Sequence, residues 1–152
     1  MYFSRMQLVV RPARPDEATQ IRALMERVIA ASVESSIRPE IVANVEANVA
    51  LWLRRPSECL HLVAVLRGSI VGVLLVKDFW NLCSLFVDQA LQRTGIGTTL
   101  VQAAIAHCKG RSPRSGLRLN AYPSAVGFYE RLGFYPRGVP DTSGIRGMEL
   151  AF

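Results

Sequence analysis

Residues 84–101 read SLFVDQALQRTGIGTTLV. Ser84 to Val87 belongs to an apolar, strand-favouring run from Leu82 to Val87. From Gly95 to Lys109, Ile96, Leu100, Val101, Ala104, Ile105 and Cys108 recur on one face of a helix. A strand that turns through glycines into a helix has a chemical consequence. The first N–H groups of a helix have no partner within it and lie at the positive end of its dipole, so they point at any anion in the mouth. Gly95 and Gly97 allow both a tight turn and close approach of a ligand to those amides. The residues alone leave two readings, a plain strand-to-helix connection or a phosphate cradle. A P-loop is excluded because no Lys follows Gly97. A dinucleotide fold is excluded as well, since no acid stands between Asp88 and Glu130 to hold a ribose.

Outward from this segment the chain alternates regular elements. Leu8 to Val10 is a short strand, and Pro15, Asp16 and Glu17 suit the start of a helix that carries Ile21, Leu24, Met25, Val28 and Ile29. A second helix follows Arg38-Pro39 and ends before Pro56. Leu60–Leu66 and Ile70–Val76 predict two antiparallel strands joined by a three-residue loop, Arg67-Gly68-Ser69. Beyond the central helix come a loop from Gly110 to Gly116 and a short strand, Leu117–Asn120. A helix from Ser124 to Leu132 closed by Gly133 and a last strand from Ile145 to Phe152 complete the chain. The order β-α-α-β-β-β-α-β-α-β predicts one α/β or α+β domain over residues 1–152, built on a mixed sheet.

Composition bounds the function. Half of the 152 residues are apolar and 20% charged, which fits a folded domain that needs neither disulfides nor a structural metal. No apolar run is long enough to span a membrane. Cys59, Cys83 and Cys108 lie far apart, and neither His61 nor His107 completes a ligand pattern, so buried thiols, no metal and a cytoplasmic setting are expected. Met1 to Arg5 lack the features of a secretory signal, and Met6 is an alternative start. The net charge is +6, and the acid-free stretch from Gln89 to Tyr129 carries Arg93, Lys109, Arg111, Arg114 and Arg118. This stretch is either a solvated face or an anion site. A nucleic-acid groove is the weaker reading, because no aromatic residue lies between Phe86 and Tyr122 to stack on bases.

SLFVDQALQRTGIGTTLV resembles the acetyl-CoA-binding motif of the GNAT N-acetyltransferase superfamily, a strand followed by Q/R-x-x-G-x-G/A and a helix. Residues 117–134, LRLNAYPSAVGFYERLGF, resemble the family's next block, a strand followed by a helix carrying F-Y-x-x-L-G-F. The resemblance implies a central, twisted, mixed sheet flanked by helices, splayed between the parallel strands Leu82–Val87 and Leu117–Asn120. It implies that the amides of Gln92, Arg93, Thr94, Gly95, Ile96, Gly97 and Thr98 hold the CoA pyrophosphate, and that Phe86 and Val87 offer backbone groups to the pantetheine arm. Arg93, Lys109, Arg111 and Arg114 would help to attract the CoA phosphates. Family members often have glycine where Arg93 stands. Many have asparagine at Tyr122, so no pantetheine contact is carried over to that side chain.

Helical spacing makes Tyr129 a core residue, alongside Ala125, Phe128 and Leu132. The resemblance instead makes it the general acid that protonates the departing thiolate, a task suited to a phenol with a pKa of about 10. The base is unassigned. Asp78 is the first choice, with Asp88, Glu46, Asp141 and Glu149 behind it, and Asp78 also reads as a turn residue. The expected activity is transfer of an acetyl group from acetyl-CoA to a primary amine by direct attack. A non-catalytic acyl-CoA-binding or partner-binding module is the alternative. The acceptor wall is expected from Ser32–Pro56 and Pro136–Gly144, the acceptor is undefined and homodimerisation is left open.

Overall fold

The structure is a computed structural model that describes residues 7–152. The readings on Met1 to Met6 lie outside the described residues. Strand β1 (Leu8–Pro12) is followed by α1 (Ala18–Ser32), α2 (Arg38–Arg54), β2 (Cys59–Leu66), β3 (Ser69–Lys77) and β4 (Asn81–Val87). After a glycine turn come α3 (Ile96–Cys108), β5 (Gly116–Ala121), α4 (Val126–Arg131), β6 (Tyr135–Arg137) and β7 (Arg146–Ala151). The strands form one seven-stranded sheet in the order β1-β2-β3-β4-β5-β7-β6, antiparallel except between β4 and β5. This is the mixed, helix-flanked sheet expected from the sequence.

Both faces of the sheet are covered, which is why β2 and β3 read as continuous apolar runs rather than alternating ones. Leu62 and Leu74 point to the face covered by α3, where Ile96, Leu100 and Ala104 meet them. Val63, Val73 and Leu75 point to the other face and pack on Ile21, Leu24, Met25 and Ile29 of α1 and on Val49 and Trp52 of α2. The entry to α1 is fixed by Glu17. Its carboxylate takes two guanidinium N–H bonds from Arg11 (2.9 and 2.6 Å) and one from the Arg14 amide (2.9 Å). The Arg11 hydrogen bond holds Glu17 down to a pKa of about 2 against the cost of burial.

Two expectations require correction. The β2–β3 loop has two residues, not three. Arg67 and Gly68 take φ values of 51° and 80°, a turn whose twist matches a right-twisted hairpin, and Ser69 already pairs with Leu66. The last strand stands as β7, but a further strand precedes it that was not expected, since Tyr135–Arg137 pairs antiparallel with β7. That edge strand has three exposed residues with a proline at its centre, so it carries neither a hydrophobic alternation nor a strand propensity to read.

Candidate active site

β4 and β5 run parallel but pair only where the first residue of β4 meets the third of β5. Asn81 faces Arg118, and the Arg118 amide donates to the Trp80 carbonyl at 2.8 Å. Beyond this point the strands part. Between them lies a cleft of about 580 Å³ lined by Leu82 to Phe86 of β4, by Leu119 to Ala121 of β5, and by Tyr122 to Ala125 and Tyr129. Its outer wall comes from Val28 and Ser32 of α1, from Val33 and Glu34, and from Ile37 and Ile41 around the start of α2. Pro136–Gly144, expected in the acceptor wall, contributes nothing to this lining, so only the Ser32–Ile41 part of that expectation meets the cleft.

The glycine turn stands at the C-terminal end of β4. Asp88 caps a short 3-10 turn over Gln89–Leu91 by accepting from the Ala90 amide at 3.0 Å, and its other oxygen lies 3.7 Å from Arg27. Gln92 is exposed, and its side-chain amide donates back to the Val87 carbonyl at 3.2 Å. Arg93 takes a φ of 65°, the left-handed region where glycine is at ease. Gly95, at φ 94°, precedes the first residue of α3 and has no side chain with which to cap it. The amides of Gly95, Ile96, Gly97 and Thr98 donate to no acceptor among the described residues, and the Thr99 amide is the first to close a helical bond, to Gly95 (3.0 Å). A thirteen-residue helix therefore presents an uncapped positive end at the mouth of the open strands. A Cβ added to Gly97 would sit 3.4 Å from the Phe128 ring and 3.8 Å from Val87, in the space between α3 and the α4 block.

The remaining residues named from the sequence fall into place around this turn. Ile96 is buried in the α3-side core, whereas Thr94 and Thr98 are half-buried. Phe86 and Val87 pack their side chains toward opposite faces of the sheet, Phe86 also lining the cleft, which leaves the intervening backbone at the parting edge.

Tyr129 reaches the same cleft from α4. It is 8% exposed, with its ring edge-on to Phe128 and Phe134 at centroid distances of 5.0 and 5.6 Å. Its hydroxyl makes no hydrogen bond among the described residues, and burial pushes its pKa up to about 12. The ring is thus core, as helical spacing implies, and the residue also lines the cavity. Cys83, on the cleft wall, keeps its thiol proton. Burial pushes its pKa to about 11, and its Sγ donates to the Leu75 carbonyl at 3.6 Å.

None of the base candidates lines the cleft. Asp78 is exposed at the β3–β4 turn with a φ of 53°, at the far end of β4. Asp88 caps its turn, Glu46 pairs with Arg22 at 3.1 Å, and Glu149 bridges Arg118 and Arg137. Asp141 accepts from the Ser143 and Ile145 amides in its own loop. The carboxylate that the lining does contain is Glu34. It stands outside any regular apolar pattern or motif, so no sequence signal marked it.

The basic stretch is divided. Arg111 lies over the Phe79 ring at 5.6 Å and Arg114 over the Trp80 ring at 4.0 Å. Both follow the C-terminal end of α3, about 20 Å from the glycine turn for a helix of thirteen residues. Of the cations expected to attract CoA phosphates, Arg93 alone stands within the turn. No group of three or more metal-ligating side chains occurs among the described residues. Nor is any of their helices long and apolar enough to cross a membrane.

A family model described as acetyltransferase (GNAT) domain matches residues 53–146, from the end of α2 to the first residue of β7. The chain belongs to this family. Among solved structures, a PaiA N-acetyltransferase from Thermoplasma acidophilum in complex with coenzyme A superposes with a TM-score of 0.77 at 17% identity, over 95% of this chain and 99% of that one. A GNAT family acetyltransferase from Brucella melitensis in complex with acetyl-CoA gives a TM-score of 0.71 at 26% identity, over 95% and 88%. No curated protein sequence matches the chain.

Proposed function

We propose that this GNAT domain, a single unit over the whole chain, transfers an acetyl group from acetyl-CoA to a primary amine by direct attack. The observation that carries the reading is the uncapped amide run from Gly95 to Thr98 at the mouth of a strand gap into which Tyr129 projects. The residues present fit the cosubstrate. A diphosphate satisfies the free amides, the open space over Gly95 leaves room for its approach, and the parted edge of β4 at Phe86 and Val87 offers backbone groups to the amides of the pantetheine arm.

In the reaction the neutral amine nitrogen attacks the thioester carbonyl, a C–N bond forms, and the carbonyl oxygen becomes an oxyanion held by a β4 amide. Collapse re-forms the carbonyl and breaks the C–S bond. The thiolate takes the phenolic proton of Tyr129, and the phenolate recovers a proton from the new ammonium through water. A pKa of about 12 keeps Tyr129 protonated through the neutral range, as a proton donor must be. The protonated state of Cys83 favours direct attack over an acetyl-cysteine intermediate, since the thiolate is the nucleophilic form.

The test is acetyl-CoA binding by calorimetry, followed by an amine screen that detects released CoA. Binding lost in Gly97→Val and turnover lost in Tyr129→Phe support the reading. Undiminished acetyl-CoA affinity in Gly97→Val refutes the cradle, and full turnover by Tyr129→Phe refutes the acid.

A further inference from the structure

The outer part of the cleft has a definite chemical character. Val33, Ile37 and Ile41 give it an apolar wall, and Ile37 is 39% exposed there with nothing packed over it. Among the described residues Glu34 is the only charged residue in the lining, although the protein as a whole carries a net charge of +6. It has no ion-pair partner among the described residues. Arg38, the nearest cation along the chain, instead gives its Nε and Nη2 hydrogens to the Val33 carbonyl at 3.0 and 2.8 Å. Glu40, in the first turn of α2, adds to the negative field at the lip, where it joins burial in raising the pKa of Tyr122. At the inner end lies the unpartnered hydroxyl of buried Tyr129.

We infer that the acceptor is a monocationic primary amine on an apolar body, drawn in as its ammonium by Glu34 with its body against Ile37 and Ile41. This rests on the proposed acetyl transfer. The ammonium releases one proton to water before attack, because only the neutral nitrogen carries a lone pair. An α-amino acid is disfavoured, since its carboxylate would meet Glu34 and the lining holds no cation to receive it. A short diamine can set its second ammonium against Glu34, but its thin chain covers little of Val33, Ile37 and Ile41, so it is disfavoured on apolar contact.

The experiment compares 2-phenylethylamine, phenylalanine and butane-1,4-diamine as acceptors at saturating acetyl-CoA. The expected kcat/KM favours 2-phenylethylamine over both others by about tenfold or more. Glu34→Gln is expected to raise KM for 2-phenylethylamine about tenfold, the scale of a charge-assisted contact discounted for exposure, while KM for acetyl-CoA and the melting temperature hold. Glu34→Lys is expected to move the preference toward phenylalanine. Equal or better use of phenylalanine or the diamine overturns the inference, as does an unchanged amine KM in Glu34→Gln. Turnover of none of the three also overturns it. If the wild-type protein then still binds acetyl-CoA the cradle stands, and if it does not, the reading of the whole site falls with it.

Discussion

The two ends of the β4–β5 pair are built from opposite materials. At the N-terminal end the strands touch at Asn81 and Arg118, and Arg111 and Arg114 spread over the rings of Phe79 and Trp80. At the other end the strands are apart, the helix that follows has no side-chain cap, and four amides have no acceptor among the described residues. The cations that the sequence offers for an anionic ligand are mostly at the closed end, whereas the proposed anion site is at the open end. On the proposed reading, backbone dipoles rather than side-chain charge make the phosphate cradle, and a charge count locates it poorly.

The largest effect expected at the open end is on chemistry. Tyr129→Phe keeps the ring between Phe128 and Phe134 and removes the hydroxyl, so kcat should fall about 10²–10⁴-fold with an unchanged melt, read by steady-state kinetics on any accepted amine. A full rate would erase the functional difference between the two ends.

Near the closed end the expected signature is in stability. His61, buried edge-on to Trp52 at 4.3 Å with its Nδ1 unpartnered, has its pKa lowered by burial to about 4. Its folded value is depressed below the 6.5 of the free group, so the unfolded chain binds the extra proton between the two. Stability should therefore be intact above about pH 6.5 and decline by about 3 kcal/mol as pH falls to 4. Urea titrations across that window measure it, and His61→Phe should flatten the slope.

Gly97→Val sharpens the contrast from the ligand side. Acetyl-CoA affinity should fall about tenfold or more, equivalent to about 1.4 kcal/mol, in a folded protein, because the new side chain enters the space beside Phe128. The smallest effect is predicted for Arg111→Ala and Arg114→Ala. Each should cost about 0.5–1 kcal/mol of stability from the lost cation–π contact and leave acetyl-CoA affinity within about twofold. At physiological salt a charge about 20 Å from the cradle lies well beyond the ~8 Å screening length. A large loss of affinity would place the cofactor at the closed end.

Much of this architecture is legible in the chain. Helix periodicity marks α1, α2 and α3, and the apolar runs mark β2, β3 and β4, because each of these elements buries a face against the sheet or lies within it. The short edge strand at Tyr135 buries nothing, and so it left no pattern. At the site, Gly95 announces a turn that the structure contains, at φ 94°, with Arg93 adding a left-handed residue before it, whereas Gly97 already lies in α3. Glu34 was invisible for a different reason. Its place in the cleft follows from how the α1–α2 connection folds back over β4, a long-range arrangement that no local spacing encodes. The placing of Arg111 and Arg114 on aromatic rings is likewise tertiary.

The parted strands leave β4 and β5 each with one backbone edge paired and the other bare from Leu82 and Leu119 onward. Unpaired edges are templates for joining other chains, a hazard that folded proteins ordinarily cover. On the proposed reading the cosubstrate is that cover, a non-peptide strand laid into the middle of the sheet. At a hundred times its dissociation constant it adds about 2.7 kcal/mol to the folded state. On that same reading, depletion of acetyl-CoA would both stop the reaction and uncover two interior edges.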